Sequence, residues 1–149
     1  MNPGLFKSAH HALQFAYRVS GNPIVKLSSV NSMRGASGNG DMTPHDRHHQ
    51  AAMIMRIVEE VVDVNGQAYY KAYYGKELQG GEYERPLVDL LVRVVMAAMP
   101  TGVHSRRGVE KLVRIYFGSA ISMVSVRKDM GCGQTKANEY RDMVVNALR

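Results

Sequence analysis

The strongest constraint on the fold lies in residues 106–149, which divide into three short amphipathic stretches with little chain between them. Between the second stretch and the third, Gly131 and Gly133 flank a single cysteine. A helix that ends at a glycine and is followed by another helix within three residues must turn sharply. The segment therefore predicts three packed helices, the last two of which are joined by a tight turn.

Apolar residues recur at three- and four-residue spacing in each stretch, as expected for helices that bury one face. The first helix should end at Gly118, Ser122 should cap the second, and Gly133 should begin the third. The residues expected to be buried are Val109, Leu112, Val113 and Tyr116 in the first helix, Met123, Val126 and Met130 in the second, and Ala137, Tyr140, Val144 and Leu148 in the third.

Polar side chains lie opposite the apolar face of the third helix, near its start: Gln134, Thr135, Lys136, Asn138 and Arg141. The DNA major groove admits a helix and presents donors and acceptors that amide and cationic side chains match. Asn138 and Gln134 suit adenine, whereas Lys136 or Arg141 suits guanine or phosphate. The same side chains would also fit a three-helix packing module whose last helix has only a solvated face.

The positive charge is concentrated in the same segment. The chain has a net charge of +6, and residues 104–149 hold nine Lys or Arg against four Asp or Glu. Neutralisation of phosphates supplies most non-specific DNA affinity, so this location favours a nucleic-acid partner. Arg106, Arg107, Arg127 and Lys128 precede or lie on the supporting helices, and we expect them to contact the phosphate backbone.

Residues 112–149 resemble region four of bacterial primary sigma factors, in which a helix ending in an aromatic-Gly pair precedes a short helix, a Gly turn and a recognition helix. Phe117-Gly118 corresponds to that pair, and Gly131 to the turn. The resemblance covers about a quarter of the chain. Two features depart from the family: Gly133 replaces the usual hydroxyl cap, and the recognition helix lacks a dense run of arginines.

The segment is also similar to the Q-type late antiterminators of phages, which have a module like sigma region four on a chain of comparable length. Residues 101–107 resemble a stretch that precedes such a module in uncharacterised phage proteins. These resemblances imply a sequence-specific DNA-binding transcription regulator that acts in the cytoplasm of a host bacterium. Its partners would be double-stranded DNA and the bacterial RNA polymerase with its sigma factor, and the implied activity is to let polymerase pass terminators. The zinc-binding cysteines of one antiterminator branch have no counterpart here.

Two other functions fit the same module. A repressor or activator would share the DNA-reading helix but would need a symmetric dimer to address two half-sites. An adaptor would dock on RNA polymerase, as region four does, without reading DNA.

The whole chain reads as all-α: a multi-helix bundle with a C-terminal helix-turn-helix. Three divisions are expected: residues 1–41 with an N-terminal helix and a flexible Gly/Ser-rich loop at 31–41, a helical body at 42–103 that binds a partner, and the DNA-binding module at 104–149.

Four helices are predicted before the module. The first spans residues 5–19; the second starts at Thr43, with Pro44 in the first turn and Asp46 completing a capping box, and continues to about Val64. The third follows Asn65-Gly66, and the fourth spans residues 86–99. Since Tyr73-Tyr74-Gly75 resembles Tyr116-Phe117-Gly118, residues 67–99 are also a candidate for a degenerate second helix-turn-helix-like unit. The alternative is that aromatic-Gly is simply a common helix ending.

Other function classes lack support in the sequence. Catalytic motifs are absent, so we expect neither an enzyme nor a cofactor. A single cysteine excludes multi-cysteine zinc sites, and the cluster of His45, His48 and His49 lacks a natural third ligand, so a metal is not expected. The longest apolar runs are too short to span a bilayer, and a cytoplasmic protein is expected.

Overall fold

The computed structural model describes residues 5–21, 42–76, 78, 84–100 and 105–149. Within those residues it contains seven α-helices and no strand, which confirms the all-α class for the described part of the chain. The helices are α1 (Ala9–Ser20), α2 (Pro44–Val61), α3 (Val64–Tyr73), α4 (Glu84–Ala98), α5 (Arg106–Tyr116), α6 (Met123–Met130) and α7 (Gln134–Leu148). The expected loop at 31–41 lies outside the described residues.

The chain forms two compact units, Met1–Val62 and Asp63–Arg149. In the first unit, α1 packs against α2 through a small core of Ala16, Ala51 and Ile54. Helix α1 begins later than the sequence suggested, because the Ser8 side chain accepts a hydrogen bond from the backbone N–H of His11 at 3.1 Å and caps the helix there. Residues 5 and 6 therefore precede the helix.

The predicted capping box at the start of α2 is confirmed. The Thr43 hydroxyl accepts from the backbone N–H of Asp46 at 3.1 Å, and the Asp46 carboxylate accepts from the backbone N–H of Thr43 at 3.2 Å. The side-chain hydrogen bond with Thr43 lowers the pKa of Asp46. Helix α2 ends at Val61 rather than near residue 64, because Val62 has an extended backbone.

The start of α3 differs from its predicted place. The Asp63 side chain caps this helix by accepting from the backbone N–H of Gly66 at 2.9 Å. Asn65 and Gly66 are consequently inside the first turn of α3 and do not precede it. A short polar side chain at the N-cap satisfies one of the free N–H groups of the helix, and here it prevails over the turn preference of the Asn-Gly pair.

A single apolar core joins the five helices of the second unit. Its largest fully buried side chains come from four of them: Val88, Leu91, Val92 and Val95 in α4, Val109, Leu112 and Val113 in α5, Val126 in α6 and Val144 in α7. Helix α3 adds Ala68 and Ala72, and the hydroxyls of Tyr69 and Tyr116 lie 3.0 Å apart between α3 and α5.

The compact units divide the chain differently from the three expected divisions. A boundary at 103/104 would cut through the core that α4 shares with α5 and α7. The division instead falls at Val62, where the extended backbone separates two helices. Helices α3 to α7 are thus one structural unit of the protein.

The two aromatic-Gly helix ends do not share one backbone conformation. After α5, Gly118 has a positive φ of 94°. After α3, the residue with positive φ is Lys76, at 51°, one position beyond the glycine. The two ends therefore agree in sequence but not in which residue takes the left-handed conformation. A degenerate second unit in residues 67–99 stays a prediction.

Candidate nucleic-acid interface

Three local features set both ends of α6 and the start of α7. The Ser122 hydroxyl caps α6 by accepting from the backbone N–H of Ser125 at 3.3 Å. Gly131 ends α6 with φ 60° and ψ 36°, a left-handed conformation that favours glycine. Gly133 is the N-cap of α7 and provides no side-chain cap. These helix ends lie where the sequence predicts them.

The apolar side of α7 packs on the core of the second unit. Ala137, Val144 and Leu148 are buried, as expected. Tyr140 was also expected to be buried but is only partly so, because its ring lies at the margin of the core. The Lys136 ammonium lies 5.4 Å from the centroid of that ring. Met123, Met130 and Tyr116 are likewise packed against the core while remaining partly exposed.

The opposite side of α7 faces solvent near its start. Gln134, Thr135, Lys136 and Arg141 are exposed, and Asn138 is half-buried. We call these five residues together with Arg127 and Lys128 of α6 the α6–α7 face. It contains seven of the nine residues that were predicted from the sequence to contact DNA.

Cations on the α6–α7 face have weak partners or none of opposite charge. Lys136 pairs with Glu139 at 2.9 Å, and that hydrogen bond raises the pKa of Lys136. Arg141 lies 3.8 Å from Asp142. For Arg127 and Lys128, the described residues place no carboxylate within ion-pair distance. These two side chains, with the glycines of the turn, line an open cavity of about 460 Å³.

Three polar side chains of this face form a chain of hydrogen bonds. Arg127 donates from Nη1 to Oε1 of Gln134 at 3.3 Å, and Gln134 donates from Nε2 to Oδ1 of Asn138 at 3.5 Å. The chain therefore runs from α6 across the turn and along the first turn of α7. The Nε atom of Arg127 is buried, with no hydrogen-bond partner in the described part of the molecule.

Arg106 and Arg107 belong to a different cluster. Arg106 donates to Asp89 of α4 at 2.8 Å, and Arg107 lies 3.9 Å from the carboxylate of Asp129 in α6. Both arginines were predicted to contact phosphate, together with Arg127 and Lys128. In the structure, however, each of the two has a carboxylate partner.

The surrounding charges form two neighbouring groups of ion pairs, one between α4 and α5 and one between α5 and α6. We call the two groups together the ion-pair network, which contains five cations and four carboxylates. The cations are Arg85, Arg106, Arg107, Lys111 and Arg114, and the carboxylates are Glu84, Asp89, Glu110 and Asp129. A cleft of about 570 Å³ is lined by all five cations and by Glu110. Three of these cations, Arg85, Lys111 and Arg114, were not among the residues predicted from the sequence to belong to a site. The i,i+4 spacing of Arg85 with Asp89 and of Glu110 with Arg114 was the available signal.

Asp129 attaches the start of α5 to the end of α6. Its carboxylate lies 2.6 Å from the Lys111 ammonium, and this contact lowers the pKa of Asp129. Its backbone carbonyl accepts from the Ser105 hydroxyl at 2.8 Å. The same hydroxyl accepts from the backbone N–H of Gly108 at 3.1 Å and so caps α5.

Gly108 and Met130 are in close contact at this junction. A Cβ atom on Gly108 would lie 2.2 Å from Cγ of Met130, far inside van der Waals contact. Only glycine therefore lets the end of α6, and with it the turn to α7, approach α5 this closely.

The histidines of α2 do not form a metal site with other described residues. Among those residues, no group of three or more His, Cys, Asp or Glu side chains is arranged to hold an ion. None of the described helices combines the length and apolarity needed to cross a bilayer.

Neither a protein family, nor a curated protein, nor a solved structure matches the chain. Functional inference therefore depends on the residues and geometry of the α6–α7 face.

Proposed function

We propose that the chain is a sequence-specific DNA-binding transcription regulator in which α6 and α7 form a helix-turn-helix. In this proposal α7 is the recognition helix and enters the major groove with its first turns. The α6–α7 face carries the contacts. Arg106 and Arg107 contribute less than the sequence suggests, because each would have to leave a carboxylate before meeting a phosphate.

One observation carries the proposal: the start of α7 presents two amides and a lysine beside the exposed Lys128 of α6, which has no carboxylate within ion-pair distance among the described residues. Amide side chains supply the paired donor and acceptor that distinguish adenine in the major groove, and unpaired cations attract phosphates.

The more specific proposal is that the regulator is a phage late-gene antitermination factor that acts on host RNA polymerase. It rests on the resemblance of residues 112–149 to sigma region four and to Q-type antiterminators. In that role the chain binds DNA near a promoter and engages polymerase, which then passes downstream terminators.

DNA binding is tested with the full chain and a randomised duplex library, at two salt concentrations. We expect an enriched sequence and an affinity that falls steeply with salt. Asn138→Ala should lose preference at one base pair, about tenfold for a good bidentate contact. Asn146→Ala is the matched control, since it removes the same amide from an exposed position near the other end of α7. Equal effects of the two variants, or no enriched sequence, would reject sequence-specific binding through α7.

The antitermination role is tested by transcription in vitro with purified bacterial polymerase across a terminator placed after the enriched site. The proposed activity lengthens transcripts, and Asn138→Ala and Lys136→Ala each reduce readthrough. Blocked initiation would identify a repressor instead. Readthrough that survives both substitutions would identify an adaptor that acts without reading DNA.

A further inference from the structure

We infer that Arg127 is a positioning residue for base recognition: it orients Gln134, and through Gln134 it orients Asn138, instead of contacting a phosphate. This inference deepens the proposed function and rests on it for its DNA readout. The sequence grouped Arg127 with Lys128 as equivalent phosphate contacts. The structure separates these neighbours by their surroundings.

The two residues differ in exposure and in their contacts. Lys128 is exposed, whereas Arg127 is half-buried with its Nε atom withdrawn from solvent. The Arg127 guanidinium contacts a neutral amide, since its Nη1 atom donates to Oε1 of Gln134 at 3.3 Å. Lys128, in contrast, is solvated and has no side-chain hydrogen bond among the described residues.

The hydrogen bond from Arg127 fixes which way the Gln134 amide points. An amide has its acceptor oxygen and its donor nitrogen at opposite ends, so an oxygen held by Arg127 directs the nitrogen away. That nitrogen, Nε2, donates to Oδ1 of Asn138 at 3.5 Å. Arg127 of α6 thereby orients the Asn138 amide as well, through Gln134.

Asn138 is left with the groups that adenine requires. Its Nδ2 atom is a donor without a partner in the described residues, and its Oδ1 atom has a second lone pair. Adenine is read by a donor to N7 and an acceptor from N6. The chain of hydrogen bonds presents both groups before DNA arrives, so the structure assigns an adenine-containing base pair to Asn138.

A double-mutant cycle tests the assignment. Arg127→Met should reduce the preference for one base pair by about tenfold with little change in the salt slope. Lys128→Met, the matched control, should lower the salt slope by about 0.9 and leave base preference intact. In a Gln134→Ala background, Arg127→Met should have no further effect on base preference, because the side chain that Arg127 orients has been removed. Thermal melts of all variants establish that they remain folded.

Two results would overturn the inference: additive effects of Arg127→Met and Gln134→Ala on base preference, or a loss of salt slope in Arg127→Met equal to that in Lys128→Met. A second measurement is independent of DNA. In the free protein, the side-chain amide NMR signals of Gln134 and Asn138 should shift in Arg127→Met and stay in place in Lys128→Met. Unmoved signals would reject the positioning role even if DNA binds. Shifted signals in a protein that shows no sequence preference would uphold the orientation of the amides and reject the proposed function.

Discussion

Two groups of cations in Asp63–Arg149 differ in what they already contact. On the α6–α7 face, Arg127 and Lys128 have no carboxylate within ion-pair distance in the described part of the chain, and the Lys136 and Arg141 pairs are with immediate neighbours on α7. In the ion-pair network, five cations face four carboxylates drawn from α4, α5 and α6.

The difference shows that a count of charges overstates the charge available to a partner. Residues 104–149 contain nine Lys or Arg, but several of them are neutralised within the unit. The ion pairs of the network connect α4, α5 and α6. The cations of the α6–α7 face either pair within α7 or have no carboxylate within ion-pair distance among the described residues. Four predictions test this contrast.

The largest effect should come from the core that supports both groups. Leu112 is almost completely buried, and Leu112→Ala should cost about 2–5 kcal/mol. A domain has about 5–15 kcal/mol in total, so the second unit should be strongly destabilised. Chemical denaturation followed by circular dichroism measures the loss. If DNA binding survived in a protein shown to be unfolded in this unit, neither group of cations would be the binding surface.

The next largest effect should separate the two groups directly. Replacing Lys128, Lys136 and Arg141 with Gln should lower the salt slope by two to three units, and affinity roughly 100-fold near physiological salt. The matched triple replaces Arg85, Arg106 and Arg107 with Gln and should change the slope by less than one unit. All six side chains are exposed, so folding should change little. Equal slopes in the two triples, measured by mobility shift, would remove the distinction.

A smaller effect should follow from releasing cations of the network. Asp89 accepts from Arg106 at 2.8 Å and lies 3.6 Å from Arg85. Asp89→Asn should free Arg106, whereas Arg85 keeps its ion pair with Glu110 at 3.1 Å. DNA affinity should rise about fivefold if one new phosphate contact forms. Glu60→Gln adds the same charge in the first unit, where it releases Arg56. A similar gain in that control would show that total charge, rather than location, governs binding.

The smallest effect should be on the stability of the fold at low pH. Contact with Lys111 lowers the pKa of Asp129 below its ordinary value of 3.8, so the carboxylate stabilises the fold above that pH. As pH falls through the lowered pKa, the proton binds and the stabilisation disappears. Wild type should therefore be more stable than Asp129→Asn near neutral pH, and the difference in free energy of unfolding should shrink below about pH 4. A difference that persists at pH 2 would mean that the side chain acts through packing.

Helix ends in residues 105–149 could be predicted because their causes are local. A hydroxyl at Ser122 and a glycine at Gly131 act within one turn of chain, and both do what the sequence indicates. The start of α3 was missed for a similarly local reason: the Asn65-Gly66 pair favours a turn, but Asp63 caps the helix two residues earlier.

The carboxylates that pair with the cations could not be predicted from local sequence. Arg106 meets Asp89 only because α4 and α5 share one core, and seventeen positions separate the two residues. The division at Val62 could not be predicted for the same reason, since apolar spacing shows that α4 buries a face but not that α5 and α7 cover it. The solvent-facing side of α7 could be predicted from the helical spacing of its own residues. The hydrogen bond from Arg127 to Gln134 depends on the geometry of the turn and could not.

The contact of Gly108 with Met130 predicts a pattern of evolutionary covariation. With no room for a Cβ beside Met130 Cγ, any related chain that keeps this junction must keep a glycine at 108 or change both positions together. A larger residue at 108 should be found only with a smaller one at 130, and Gly108→Ala combined with Met130→Ala should be tolerated better than Gly108→Ala alone. An alignment of related chains should therefore show positions 108 and 130 changing together even where the polar residues of α7 differ.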